Sequence, residues 1–204
     1  MGTQTKPNRT SQRELDDVVL QLLPRQGSWS EEQYLWLTDH SNHLVELTDG
    51  YIEVLPMPTR KHQVISRFLF LTLVAVVHAN GGTVFYSPLR LRIREGKHRE
   101  PDLLLLLDAD DPRNQDRYWL GADLVVEVVS PDDPDRDLVE KRRDYAEANI
   151  PEYWIVDPRS ETIVVLRLEG GAYVEHGVFG RGARATSALL EGFAVDVDAV
   201  FDAK

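Results

Sequence analysis

Glu127 stands inside LVVEVVS, an apolar run that reads as a central strand. Ionisable side chains are seldom fully buried unless they are paired or hold a metal. The plainer reading is a strand-end glutamate that faces solvent or an internal arginine. Asp102 lies between Pro101 and a run of five leucines, at the start of a second buried strand. Taken alone it reads as a turn or capping residue after GKHRE. Neighbouring strands lie about 4.8 Å apart, so two carboxylates on one face of such a pair can share a hard cation, Mg²⁺ or Mn²⁺. The backbone carbonyl of Val128 offers a further oxygen ligand. Asp137, Lys141 and Tyr145 follow at i, i+4 and i+8, on roughly one face of a helix expected over 135–149. A surface Asp–Lys pair is the plain reading of that spacing. In the other reading, Lys141 points at the carboxylates, where it can orient or deprotonate a water and offset phosphate charge. Asp102, Glu127 and Lys141 together describe metal-assisted phosphodiester hydrolysis, in which the metal lowers the pKa of a bound water.

Those residues need elements to place them. Residues 1–27 read as a loose tail with a short helix over 11–23, and 28–204 as one domain. Ser28 or Ser30 can cap a helix over EEQYLWLTDH, with Glu31 or Gln33 in the reciprocal position. Asp49-Gly50 between HLVELT and YIEVLP is a strong hairpin signal. Residues 58–79 read as the longest helix, closed by Asn80-Gly81-Gly82. Strands are expected at 83–86, 89–94, 101–107, 124–130, 152–157 and 162–168, with further strand signals in the C-terminal third. The leucine run suits a strand buried on both faces. The order implies an α/β (α+β) domain, a mixed central sheet flanked by helices, with an N-terminal helical and hairpin segment.

Composition narrows the chemistry. The 204 residues contain no cysteine, which excludes disulfides, thiol catalysis and cysteine-ligated clusters. A charge of −11 argues against a dedicated nucleic-acid binder, which is usually basic. The apolar run Val64–Ala79, interrupted by Ser66, Arg67 and His78, is shorter than a membrane helix requires. With no leader at the N-terminus, the expected location is cytoplasmic, with no membrane partner. No glycine-rich phosphate loop or nucleophile-elbow motif is present.

The succession VELTDGYIEVLPMP, KHQVISRFL, REPDLLLL, DLVVEVVSPDD, DLVEKRRDYAEANIPEYWIVDP and LLEGFAVDVDAVF resembles the Uma-two family of restriction-endonuclease-like proteins, within the PD-(D/E)xK nuclease superfamily. The resemblance implies a restriction-endonuclease-like core. It also implies that Asp102 and Glu127 are the motif acids. The lysine expected two residues after Glu127 is replaced by Val129, and Lys141 is the matching residue on the next helix. Glu46 is similar to a recurrent acidic position that completes the metal site or positions a lysine; otherwise it is an edge-strand glutamate. His62 can contact phosphate or lie on the surface at a helix start. Tyr145 can contact substrate or pack beneath Lys141.

A substrate of DNA asks for positive charge. Arg90, Arg92 and Arg94 alternate along LRLRIREGKHRE, and Lys97 and Arg99 lead into Asp102, so a phosphate-binding stripe beside the site is one expectation. A solvated edge strand that discourages aggregation is the other. The leading expectation is a metal-dependent DNA endonuclease. Two alternatives remain: a non-catalytic regulatory or interaction protein on a nuclease-like fold, and a metal hydrolase of a small phosphorylated substrate. A homodimer is a further expectation drawn from the resemblance.

Overall fold

The computed structural model describes residues 22–130 and 136–204. The helix expected over 11–23 falls almost wholly outside them, as do residues 131–135. Ser30 caps α1 (Glu31–Asp39): its hydroxyl accepts from the Gln33 N–H while the Gln33 side chain accepts from the Ser30 N–H. The hairpin β1 (Val45–Thr48) and β2 (Tyr51–Val54) closes on Asp49 and Gly50, both at positive φ. Two such residues give the turn whose twist matches that of paired strands.

The longest helix, α2 (Arg60–Val77), starts at Thr59, whose hydroxyl accepts from the His62 N–H. With the 3₁₀ turn that follows, it is long and apolar enough by length and composition to cross a bilayer, more than the interrupted apolar run suggested. Here its Ile65, Leu69, Leu73 and Val77 stripe packs on a sheet. Gly81 ends it in the left-handed conformation.

That sheet has six strands in the order β10-β9-β8-β7-β6-β3. Along the chain they are β3 (Thr83–Tyr86), β6 (Leu103–Leu106), β7 (Leu124–Val128), β8 (Glu152–Asp157), β9 (Thr162–Glu169) and β10 (Ala172–Phe179). Only β7 and β8 run parallel. The crossover between them holds a π-helical turn at Arg136–Glu140 and then α3 (Lys141–Glu147), so the single helix expected over 135–149 is split in two. The leucine run behaves as a strand covered on both faces. Leu103 and Leu105 join α2 and the C-terminal elements in one core, and Leu104 and Leu106 join Trp119, Tyr145 and Tyr153 in another.

A second sheet, β2-β1-β5-β4, contains β4 (Leu91–Arg94) and β5 (Lys97–Arg99) and is antiparallel throughout. The chain finishes with β11 (Arg184–Thr186), β12 (Ala194–Asp196) and the short α4 (Val197–Phe201). The chain leaves β5 at Arg99 and enters β6 at Leu103, so residues 100–102 join the two sheets. The architecture is the mixed central sheet flanked by helices that the sequence pattern implies.

Gly82 fixes where α2 meets the sheet. A Cβ there would lie 2.6 Å from the Leu106 carbonyl oxygen, 2.9 Å from that of Leu107 and 2.7 Å from Val77. Gly82→Ala therefore forces backbone apart, at a cost of about 2 kcal/mol, or roughly 4–8 °C in melting temperature for a chain this size. Gly81→Ala meets only the left-handed penalty of about 1 kcal/mol. Thermal unfolding of both variants checks the order; a smaller loss for Gly82→Ala would show that the helix simply moves aside.

Candidate active site: two strand carboxylates and a helix lysine

Leu103 pairs with Val126 across β6 and β7, and continuing that antiparallel register sets Asp102 opposite Glu127. Both line one cleft of about 800 Å³. Asp102 Oδ2 accepts from the Val128 N–H at 2.7 Å and lies 3.0 Å from His62 Nε2, which α2 brings in from its first turn. Val128 thus anchors Asp102 through its amide. Glu127 Oε1 takes Lys141 Nζ at 2.8 Å and the Tyr145 hydroxyl, and Lys141 Nζ also lies 3.0 Å from Asp137 Oδ1. The spacing of Asp137, Lys141 and Tyr145 survives the change from π-helical to α-helical winding, and Asp137 and Tyr145 meet Lys141 and Glu127 respectively. The pair is no surface feature: the Lys141 and Glu127 side chains are 6% and 3% exposed.

Burial pushes Glu127 up to about 8 against the pull of Lys141, and the Asp102 and Asp137 carboxylates add to the rise. Burial alone would lower Lys141. Glu127, Asp137, Glu46 and Asp102 outweigh it and hold the side chain as an ammonium. A lysine held this way donates hydrogen bonds and stabilises anions, and it does not take a proton from water. Desolvation lowers His62, yet its hydrogen bond and charge contact with Asp102 raise it overall. Burial and Glu127 push the Tyr145 hydroxyl well above its usual value, so it stays a donor to Glu127.

Among the described residues, no three His, Asp or Glu side chains gather as a ready-made metal cage. Mg²⁺ seldom needs one: it retains waters and takes one or two carboxylates with substrate oxygens. The donors here are oxygens, and the Asp102 and Asp137 carboxylates lie close enough to Glu127 to add to its rise. Paired carboxylates of this kind fit a hard divalent cation.

Glu46 is not at an edge. It lies in β1, between β2 and β5, and is buried. Its Oε1 accepts from the Glu100 N–H at 3.0 Å, and its Oε2 receives Arg99 at 3.1 Å and Arg136. It reaches Lys141 only through charge. Arg99 and Lys97 share Asp144 of α3, which locks β5 to the crossover. The alternating arginines are drawn away from the cleft: Arg90 to Asp39, Arg92 to Glu31, and Arg94 to Asp49 and Glu147. The stripe is not a free phosphate track: it lies on β4, the edge strand of its sheet, and its charges are taken up by acids of α1, the hairpin turn and α3.

Two cleft residues escaped the sequence reading. Arg136 lines the cleft, tethered to Glu46 and Glu53. Glu100 is buried in the cleft wall with Oε2 unpartnered, and burial pushes it up to about 8. Nothing in GKHREPD separates Glu100 from an ordinary loop acid.

Burial by itself would raise Glu46, but Lys141, Arg99, Arg136 and the Glu100 amide bring it to about 2. A folded pKa below the unfolded one stabilises above the unfolded value of about 4.5 and is lost as pH falls towards 2. Over that window the wild type should lose about 3 kcal/mol through this group. Glu46→Gln should be about 3–5 kcal/mol less stable at pH 7, because Arg99 and Arg136 lose their carboxylate, and the gap should narrow at pH 3. Urea unfolding at the two pH values measures it; an equal gap at both would place the acid sensitivity elsewhere.

The model of the Uma2 family, described as "Putative restriction endonuclease", matches residues 31–198. Among solved structures, one described as "a putative nuclease belonging to DUF820", from Anabaena variabilis, is similar with a TM-score of 0.68 at 20% identity, covering 82% of this chain and 97% of that one. At that identity the likeness is one of fold. No curated protein matches. The family match takes in α1, both sheets and the start of α4, with Asp102, Glu127 and Lys141 inside it, and the chain belongs to the Uma2 family.

Proposed function

We propose that the chain is a Mg²⁺- or Mn²⁺-dependent endonuclease that hydrolyses phosphodiester bonds in DNA. The observation that carries this reading is the meeting of Asp102, Glu127 and a charged Lys141 at the floor of one cleft. Family membership and the nuclease-like fold support it. Asp102 and Glu127 would hold the cation with the Val128 carbonyl. When bound, the cation supplies Lewis-acid stabilisation of the phosphate and a more acidic water. The Lys141 ammonium orients the attacking water and stabilises charge that builds on the phosphate oxygens. Tyr145 and Asp137 position that ammonium, Tyr145 by fixing Glu127 and Asp137 by direct contact. His62, whose Nε2 lies 3.0 Å from Asp102 Oδ2, positions that carboxylate. Overall, water oxygen bonds to phosphorus, the phosphorus bond to one sugar oxygen breaks, and that oxygen takes up a proton.

Cleavage of supercoiled plasmid and single-stranded DNA with Mg²⁺ or Mn²⁺ should fall at least about 100-fold in Glu127→Gln and in Lys141→Ala, with circular dichroism unchanged. Undiminished cleavage in either variant would remove these residues from the chemistry. Metal binding has its own signature. A carboxylate must lose its proton to ligate, so with Glu127 near 8 the Mn²⁺ affinity should climb with pH up to about 8 and level off above it. Calorimetry from pH 6 to 9 should show proton release on binding in the wild type and a clearly smaller release in Glu127→Gln, where only His62 and Glu100 remain to respond. A flat wild-type profile would place the metal away from Glu127.

A further inference from the structure

The floor of the cleft is polar and its wall is not. Met57, Leu71 and Tyr86 line the same cleft as Asp102 and Glu127, and they are 76%, 59% and 58% exposed. The Phe70 ring meets Tyr86 edge-on at 4.9 Å and 82°, which braces the exposed tyrosine. An exposed aromatic ring braced by a second ring on the wall of a cleft suits a ligand with an apolar face. Positive charge lies alongside. α2 opens Arg60-Lys61-His62 with no acid in its first turn, against the usual preference at a helix N-terminus. Lys61, His62 and Arg67 all line the cleft; His62 contacts Asp102, Arg67 donates to the Lys204 carbonyl, and Lys61 is half exposed with Glu161 no nearer than 4.0 Å. One wall therefore suits a planar apolar surface, and the adjoining helix suits phosphates.

A DNA duplex does not match this arrangement. Its base faces are stacked inside, so Tyr86 and Met57 would meet only phosphates and groove edges. Duplex binding also draws on a broad field of basic residues, whereas Arg90, Arg92 and Arg94 are engaged by acids and the chain carries a charge of −11. Glu127 and Lys141 are buried and line the cleft. An unpaired nucleotide presents a base face and a phosphate one sugar apart, and enzymes that reach buried sites act on such nucleotides or extrude them.

We propose that the cleft binds an unpaired nucleotide, its base stacked on Tyr86, which Phe70 braces, and its phosphate on the floor, so that the preferred substrate is single-stranded DNA. The substrate class rests on the nuclease reading, while the stacking contact does not require cleavage. The neighbouring phosphates run along the Lys61 and Arg67 side of α2. Sequence preference should be weak, because every base has a stacking face.

The test is binding without turnover, in EDTA, followed by cleavage with Mn²⁺. A short oligo(dT) carrying one 2-aminopurine and a hairpin duplex of equal phosphate count are titrated by fluorescence. The wild type should prefer the single strand by about tenfold or more and quench the 2-aminopurine. Tyr86→Ala should lose about tenfold in single-strand affinity, and Tyr86→Phe should keep it, which separates stacking from hydrogen bonding and from misfolding. Equal or tighter duplex binding, or a Tyr86→Ala variant that binds and quenches as the wild type does, would overturn the proposal. If such a protein still cleaves duplex DNA, only the substrate class fails. If neither nucleic acid is bound or cut, the nuclease reading fails with it.

Discussion

Glu127 occupies a place where charge is least tolerated, the middle of a sheet with packed cores on both faces. Its burial carries a desolvation penalty that only immediate partners can offset. Lys141 and Tyr145 are those partners, and both come from the crossover that makes β7 and β8 parallel. The position of α3 on the sheet thus answers to an electrostatic demand as well as to apolar packing. Glu127 and Asp137 both contact the Lys141 ammonium, and Glu46 and Asp102 add to its hold through charge.

A second layer of ion pairs secures the first. Glu46 on β1 gathers Arg99 and Arg136, and Arg99 passes the connection through Asp144 to α3. The small N-terminal sheet, the crossover and the segment leading into Asp102 are tied by charge as well as by the core that Leu91 and Ile93 share with Tyr145. This is why Arg99, which leads directly into the Pro-Asp motif, points inward to carboxylates and not outward to a ligand. The same logic absorbs the alternating arginines, each of which meets an acid from another element.

The parts of the site legible in the sequence were those fixed by local rules. A glutamate in a valine run and an aspartate before a leucine run announce buried strands, and strand spacing then brings them within reach. The Asp137, Lys141, Tyr145 spacing announces a shared face. The π-helical turn at Arg136–Glu140 was not legible, because its wider winding keeps the same residues on the same side. Nor were the fates of Arg90, Arg92 and Arg94, whose partners Asp39, Glu31 and Glu147 lie far along the chain. Periodicity describes one element at a time and carries no information on which acid a distant arginine will meet. The aromatic wall escaped for the same reason: Phe70 and Tyr86 belong to a helix and a strand that only the fold brings into contact.

The crossover also divides the site along the chain. Tyr145 and Glu127 are 18 residues apart in the chain, and Asp102 joins Val128 from 26 residues away. Lys141 and Glu127 thus belong to one continuous stretch, β7 with its crossover, whereas Asp102 and His62 come from elements earlier in the chain. A chain opened between β6 and β7 would keep the ammonium beside Glu127 and lose the second acid.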